Sequence, residues 1–336
     1  FKMKTIIIAE AGVNHNGDIK LAKKLIKIAA KAGADFVKFQ TFKPELLVTK
    51  NTKKAEYQIK NTKKNNETQF QMLKKLQLNE EQHNILIKEC NKNKISFLST
   101  PFDLESVELL NNLKLTHIKI SSGDIDNLPF LRKIGKLNKK IFLSTGMSKI
   151  KDIDLALKIL IRSGTNKKNI YVLHCNTSYP TPYSDVNLNA MKMIGKKFQI
   201  KYGYSDHTLG IEIPIASIAM GASVIEKHFT LDRKLEGPDH IASLEPKELY
   251  QMIKSIRNVE KSFGSTNKII SNSEKKNMQI AKKSIVAKKT IKKGEKFSIY
   301  NICIKRPGTG INPMKWDKII KKKAIKNFKK DELIKV

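Results

Sequence analysis

Eight short apolar runs alternate with helical stretches along this chain, and that beat constrains its fold more than any other feature. The runs are rich in β-branched residues and fall at 5–12, 36–41, 95–100, 117–122, 141–146, 170–175, 200–206 and 223–229. Helical periodicity follows at 19–32, 80–92, 105–113, 153–161, 211–220 and 246–263, and helix-sized gaps fill the other intervals. The runs are apolar on both faces, as strands of a buried parallel sheet are. Eight such units within about 260 residues match a (β/α)8 barrel better than an open doubly wound sheet. No GxGxxG follows the first run, which argues against a dinucleotide-binding fold.

Past residue 263 the texture changes. A polar stretch reaches about residue 283, and short strands broken by Lys-Gly and Pro-Gly turns follow. The expected organisation is a catalytic barrel at 1–265, a linker at 266–283 and a small β-rich domain at 284–336. The connection at 43–69, rich in Lys, Asn and Thr, reads as an active-site lid or a mobile surface excursion. Three widely spaced cysteines (Cys90, Cys175, Cys303) without a CxxC point to reduced thiols and a cytoplasmic protein. No apolar run approaches the roughly 20 residues of a membrane helix.

The formal net charge of +34 raises the question of nucleic acid. Lysines are spread through nearly every helical segment instead of forming a basic block with interleaved aromatics. Arginine, the better bidentate phosphate ligand, is almost absent. The charge therefore reads as a solvated surface whose positive field also draws small anions, and neither a nucleic-acid nor a membrane partner is expected.

In a barrel of this kind chemistry gathers at the C-terminal ends of the strands. All eight ends here carry polar groups: Glu10 to Gly17, Lys38 and Gln40, Ser99 and Thr100, Lys119 to Asp124, Ser144 to Gly146, His174 to Tyr179, Ser205 to Thr208, and Glu226 to His228. One Ser-Thr-Gly after a strand is usually a turn or cap, and one strand-end histidine is usually a hydrogen-bonded core residue. Eight polar ends on one rim are harder to explain that way. Lys38 and Lys119, with the hydroxyls of Thr100, Ser122 and Ser144, suit a small phosphorylated or carboxylated ligand. His207 and His228 end adjacent strands and could share a divalent metal with open positions, or could be a neutral buried pair. Residue types leave Mn²⁺, Mg²⁺, Fe²⁺ and Zn²⁺ all open.

These motifs resemble the sialic acid synthase family. The resemblance rests on AEAGVNHNG at 9–17, VKFQT at 37–41, STPFD at 99–103, KISSGD at 119–124, STGM at 144–147, LHCNTSYPTP at 173–182, SDHT at 205–208, EKHFT at 226–230 and GPDH at 237–240. It runs in the family's order over nearly the whole chain. The tail, with KKTIKKGE and IKRPGTG, resembles the antifreeze-like domain that closes such synthases. The resemblance implies a transferase that condenses phosphoenolpyruvate with N-acetylmannosamine and water, giving N-acetylneuraminate and phosphate. A rival reading within the family is an N,N'-diacetyllegionaminate synthase acting on 2,4-diacetamido-2,4,6-trideoxymannose. Outside enzymes, the rival is a basic barrel that binds nucleic acid or carbohydrate. By resemblance, His207 and His228 hold the metal, usually Mn²⁺, and Lys38, Thr100, Lys119, Ser122 and Ser144 take phosphoenolpyruvate, with Thr177 a further anion contact. Gln40, Tyr179 and Asp239 face the sugar or reacting carbons, Glu10 and Asp124 manage protons and charge, and Arg306 reaches a partner subunit's site in a domain-swapped homodimer. Asp124 stands where some members carry Glu, and Thr177 where some carry Asn.

Overall fold

A computed structural model describes residues 4–62 and 66–336. The chain divides at Phe263/Gly264 into two units. In the larger, the elements run β1 (Ile6–Gly12), α1 (Ile19–Ala32), β2 (Phe36–Thr41), α2 (Pro44–Leu47), α3 (Glu56–Thr62), α4 (Gln69–Leu76), α5 (Glu80–Lys92), β3 (Ser96–Pro101), α6 (Leu104–Asn112), β4 (His117–Ile120), α7 (Leu128–Lys136), β5 (Lys140–Ser144), α8 (Ile150–Arg162), β6 (Ile170–His174), α9 (Leu188–Phe198), β7 (Lys201–Asp206), α10 (Glu212–Ala219), β8 (Val224–His228) and α11 (Pro246–Ser262). The strands order as β3-β2-β1-β8-β7-β6-β5-β4, all neighbours parallel, with β3 beside β4 at the seam. This is the expected (β/α)8 barrel.

Strand alternation sorts the side chains. On β1, Ile7, Ala9 and Ala11 point outward into a layer shared with Leu25, Ile26 and Ala29 of α1 and Leu86 of α5. Ile8 points inward and joins Phe36, Leu98, Phe142, Tyr171, Leu173 and Val224 as a plug in the barrel interior. The next residues up the same inward rows are polar: Glu10, Lys38, Thr100, Lys119, Ser144, Ser205 and Glu226, every one buried. The apolar plug gives these groups a dry floor. The outer helices are fixed by ordinary means. Asp18 caps α1, its carboxylate accepting from Lys20 N at 2.6 Å, and Gly33, at φ 90°, lets the chain leave that helix in the left-handed region.

The connection after β2 departs from the expected loop. On its described residues it forms α2, α3 and α4, the last entered by a Thr68/Gln71 capping box. Positions 63–65 lie outside the described residues. Met72, Leu73 and Leu76 of α4 pack with Val13 and Phe42, so this excursion has a small core of its own.

In the smaller unit, the stretch that reads as a polar linker contains α12 (Asn272–Ala281), capped by Ser271 and Glu274. It is followed by β9 (Ser284–Ala287), β10 (Ile302–Lys305) and α13 (Trp316–Ile319). β9 and β10 pair antiparallel, and Ile285, Ile291, Phe297, Ile302 and Phe328 form their core.

Candidate active site

The strand ends enclose a cavity of about 640 Å³. Among the residues that line it are Glu10, Lys38, Gln40, Thr100, Lys119, Ser122, Asp124, Ser144, Thr177, Tyr179, His207, His228 and Asp239, so thirteen positions singled out from sequence converge on one space. Arg306 does not belong to this wall. It stands exposed in the smaller unit, joined to Pro307 by a cis peptide.

The floor is a network of four buried titratable groups. Lys38 Nζ lies 2.9 Å from Glu10 Oε1, 3.8 Å from Glu226 Oε2 and donates to Thr100 Oγ1 at 2.9 Å. Lys119 Nζ lies 3.3 Å from Glu226 Oε1, which also accepts from Ser205 Oγ at 2.9 Å. Two ammoniums thus face two carboxyl groups, but unevenly, because Glu226 faces both lysines and Glu10 chiefly one. Burial and repulsion from Glu226 outweigh Lys38 and push the Glu10 carboxyl up to about 8. Burial works against the Glu226 charge too, yet Lys119, Lys38 and the Ser205 hydroxyl prevail and hold it down to about 2. Glu10 Oε2, Glu226 Oε2 and Ser144 Oγ have no hydrogen-bond partner among the described residues. Such buried acceptors and donors beside two lysines call for a polar ligand.

Asp124 lines the cavity, but both its oxygens serve the local turn: Oδ2 accepts from Ser121 Oγ at 2.7 Å and Oδ1 from Asn127 Nδ2 at 3.1 Å. Burial raises this carboxyl. Ser122 Oγ accepts from Gly146 N at 2.9 Å, which joins the β4 and β5 loops. A Cβ on Gly146 would meet Thr177 Cγ2 at 2.6 Å, so this close approach requires glycine.

The histidines stand above the floor with ring centroids 5.3 Å apart. His207 Nδ1 lies in hydrogen-bond contact with the Asn176 carbonyl. A carbonyl only accepts, so Nδ1 carries the proton and the Nε2 lone pair is free. His228 Nδ1 is buried with no hydrogen-bond partner among the described residues, 3.9 Å from Asp239 Oδ2. Burial drives the His207 imidazole down to about 4 and His228 well below its ordinary value, so both rings are neutral. A neutral imidazole oriented by a backbone carbonyl, beside a second with an orphaned nitrogen, fits a divalent cation. Among the described residues no three His, Cys, Asp or Glu side chains converge as a closed metal cage. The pair fits an open, substrate-completed site.

Aromatic rings frame one side of the cavity. The Tyr179 ring lies 4.0 Å from His207 and stacks on Tyr57 of α3 at 5.3 Å and 21°. Asn61 Nδ2, also on α3, donates to the Pro238 carbonyl at 2.6 Å, beside Asp239. The β8 loop that carries Asp239 is braced from β1: Asn14 Nδ2 donates to Ser243 Oγ at 2.9 Å, and Ser243 Oγ donates to the Asp239 carbonyl at 2.7 Å. Burial pushes the Asp239 carboxyl up to about 6.

The sequence reading set Glu226 at the rim without giving it a role, and did not single out Tyr57. Glu226 was legible, since it lies two residues before His228 and an alternating strand turns both inward. Tyr57 carried no such signal, because only the folding of the excursion brings it to the cavity.

Residues 25–268 match the NeuB family and residues 282–335 match the SAF domain. The chain belongs to the NeuB family. Over 331 residues, 98% of this chain and 99% of the relative, it is 56% identical to the N,N'-diacetyllegionaminic acid synthase of Campylobacter jejuni. It is 44% identical to the enzyme of that name from Legionella pneumophila, over 95% of this chain and 90% of the relative. A crystal structure of the N-acetylneuraminic acid synthetase of Leptospira borgpetersenii, in complex with citrate, superposes with a TM-score of 0.71 at 32% identity, covering 82% of this chain and 91% of that one. NeuB membership agrees with a cavity at the strand ends whose floor carries Lys38 and Lys119.

Proposed function

We propose that this NeuB family chain condenses phosphoenolpyruvate with 2,4-diacetamido-2,4,6-trideoxymannose and water, releasing phosphate and N,N'-diacetyllegionaminate. The 56% identity along essentially the full length of a diacetyllegionaminic acid synthase carries this choice of acceptor over N-acetylmannosamine. The geometry supports the reaction class. Lys38 and Lys119 sit on a dry floor where each charge acts strongly on a phosphate or carboxylate. Thr100, Ser122 and Ser144 offer hydroxyls at the same level.

In the reaction, C3 of the enol phosphate bonds to the aldehyde carbon of the open-chain sugar, which takes up a proton at oxygen. Water adds at C2, and the C2–O bond breaks to release phosphate. Glu10, its carboxyl raised and Oε2 unengaged, is placed to hold or yield a proton at these atoms. Asp124 fixes the loop of Ser121 and Ser122, and Gln40, Thr177, Tyr179 and Asp239 orient the substrates. His207 and His228 would hold a divalent ion, Mn²⁺ first, which when bound supplies Lewis acidity toward the sugar aldehyde. The family pattern adds a domain-swapped homodimer in the cytoplasm, with Arg306 of one chain serving the other's site. Among the described residues no helix is long and apolar enough to cross a membrane.

The test is phosphate release from phosphoenolpyruvate and the diacetamido sugar, in chelator-treated buffer with and without added Mn²⁺. Metal-dependent, stoichiometric phosphate and nine-carbon acid are expected. Phosphate release that does not require the sugar would overturn the reading.

A further inference from the structure

Asp206, Thr208 and Lys227 flank the two cavity histidines, yet they point away from the cavity. Strand alternation turns Ser205 and His207 inward and Asp206 and Thr208 to the other face, as it does Glu226 and His228 against Lys227. Asp206 and Lys227 are direct partners on the last paired rung of β7 and β8. Lys227 Nζ donates to Asp206 Oδ2 at 2.5 Å, and both side chains are wholly buried, at 0% exposure. The same ammonium donates to the Thr208 carbonyl. Asp206 in turn accepts from Thr208 N at 3.1 Å and Thr208 Oγ1 at 2.9 Å. His207 is therefore bracketed on both sides by groups tied to one ammonium, and that ammonium belongs to the residue before His228. On the cavity side, Ser205 and Glu226 make the side-chain hydrogen bond found between the same strands among the described residues.

We infer that Asp206, Lys227 and Thr208 form a positioning clamp that sets the spacing of His207 and His228 for a shared divalent cation. The inference rests on the proposed metal site. Covering two adjacent strands with apolar packing alone would not need a buried ion pair, which costs desolvation and is often no more stabilising than hydrophobic residues. What the pair supplies is directed bonding: one nitrogen reaches both strands and the turn beyond His207. A metal held by only two protein nitrogens depends on their separation, and loss of such outer support costs about 10- to 100-fold in affinity.

The experiment uses the full chain stripped of metal, with Mn²⁺ binding followed by the electron paramagnetic resonance of the free ion, and melting recorded without metal. Lys227→Met and Asp206→Asn each leave a buried partner unmatched and should lower Tm. The double variant Asp206→Asn/Lys227→Met removes both charges and should melt closer to wild type than either single variant. Its Kd for Mn²⁺ should nonetheless rise about 10- to 100-fold, with phosphoenolpyruvate affinity unchanged. Wild-type Mn²⁺ affinity in that variant, or an equal loss for phosphoenolpyruvate, overturns the clamp. If the double variant does not fold, Thr208→Val decides, since it deletes one hydroxyl bond at nearly constant volume: weakened Mn²⁺ binding supports the clamp and unchanged binding overturns it. His207→Ala serves as reference. If it binds Mn²⁺ as tightly as wild type, the metal reading itself fails and the clamp has nothing to position.

Discussion

Glu10 and Glu226 share two lysines on a floor that excludes water, and their unequal geometry separates their protons. Glu10 has a folded pKa of about 8 against an ordinary 4.5. Between those values the folded chain keeps a proton that the unfolded chain gives up, so rising pH favours unfolding through that window. The ligand-free Tm should therefore fall between about pH 4.5 and 8, and Glu10→Gln should flatten the slope. An equal slope in the variant would mean the proton resides elsewhere. Glu226 adds little slope over most of this range: its carboxylate is held low by Lys119 and Lys38, so it stays charged throughout. At this scale the sequence told most of the story. Residue type and strand-end position brought both lysines and both histidines to the rim, and Glu10, whose role came from the family resemblance, lines the same cavity. Nothing in it revealed that the Asn176 carbonyl fixes the His207 tautomer, because a backbone acceptor carries no residue signature.

The barrel strands were legible because burial on both faces leaves an unbroken apolar run, though some ends were read a residue or two long: β4 stops at Ile120 and β5 at Ser144. α7 and α9 were read only as helix-sized gaps. The excursion after β2 was harder still. α2 and α3 have four and seven residues, too short for a helical period to declare itself, and they are stabilised by packing more than by propensity. Yet α3 brings Tyr57 to Tyr179, and Asn61 Nδ2 of α3 donates to the Pro238 carbonyl of the β8 loop. Asn61→Ala should loosen that docking. The KM for the sugar is expected to rise about 3- to 10-fold, the equivalent of a single hydrogen bond, with the KM for phosphoenolpyruvate unchanged. Steady-state kinetics with each substrate varied will show it, and equal effects on both constants would contradict a role on the sugar side.

For the molecule as a whole, the fold class followed from counting strand-helix units, and the smaller unit from its change of texture. The α12 helix inside the polar stretch was not foreseen, because its faces are exposed and carry no apolar stripe. The proposed dimer predicts complementation. Mixed Arg306→Ala and His207→Ala chains should regain part of the activity that each lacks alone, because one composite site in the heterodimer is intact. Differently tagged chains will establish that subunits exchange; exchange without recovered activity counts against a shared site. The central claim concerns the acceptor, and one competition tests it most directly. With phosphoenolpyruvate saturating and Mn²⁺ present, the enzyme is offered equal concentrations of 2,4-diacetamido-2,4,6-trideoxymannose and N-acetylmannosamine, and the two nine-carbon acids are quantified by mass. We expect the diacetamido product to dominate by about 100-fold or more, the discrimination available when a site is built around specific polar and methyl groups. Equal products, or a majority of N-acetylneuraminate, would contradict it.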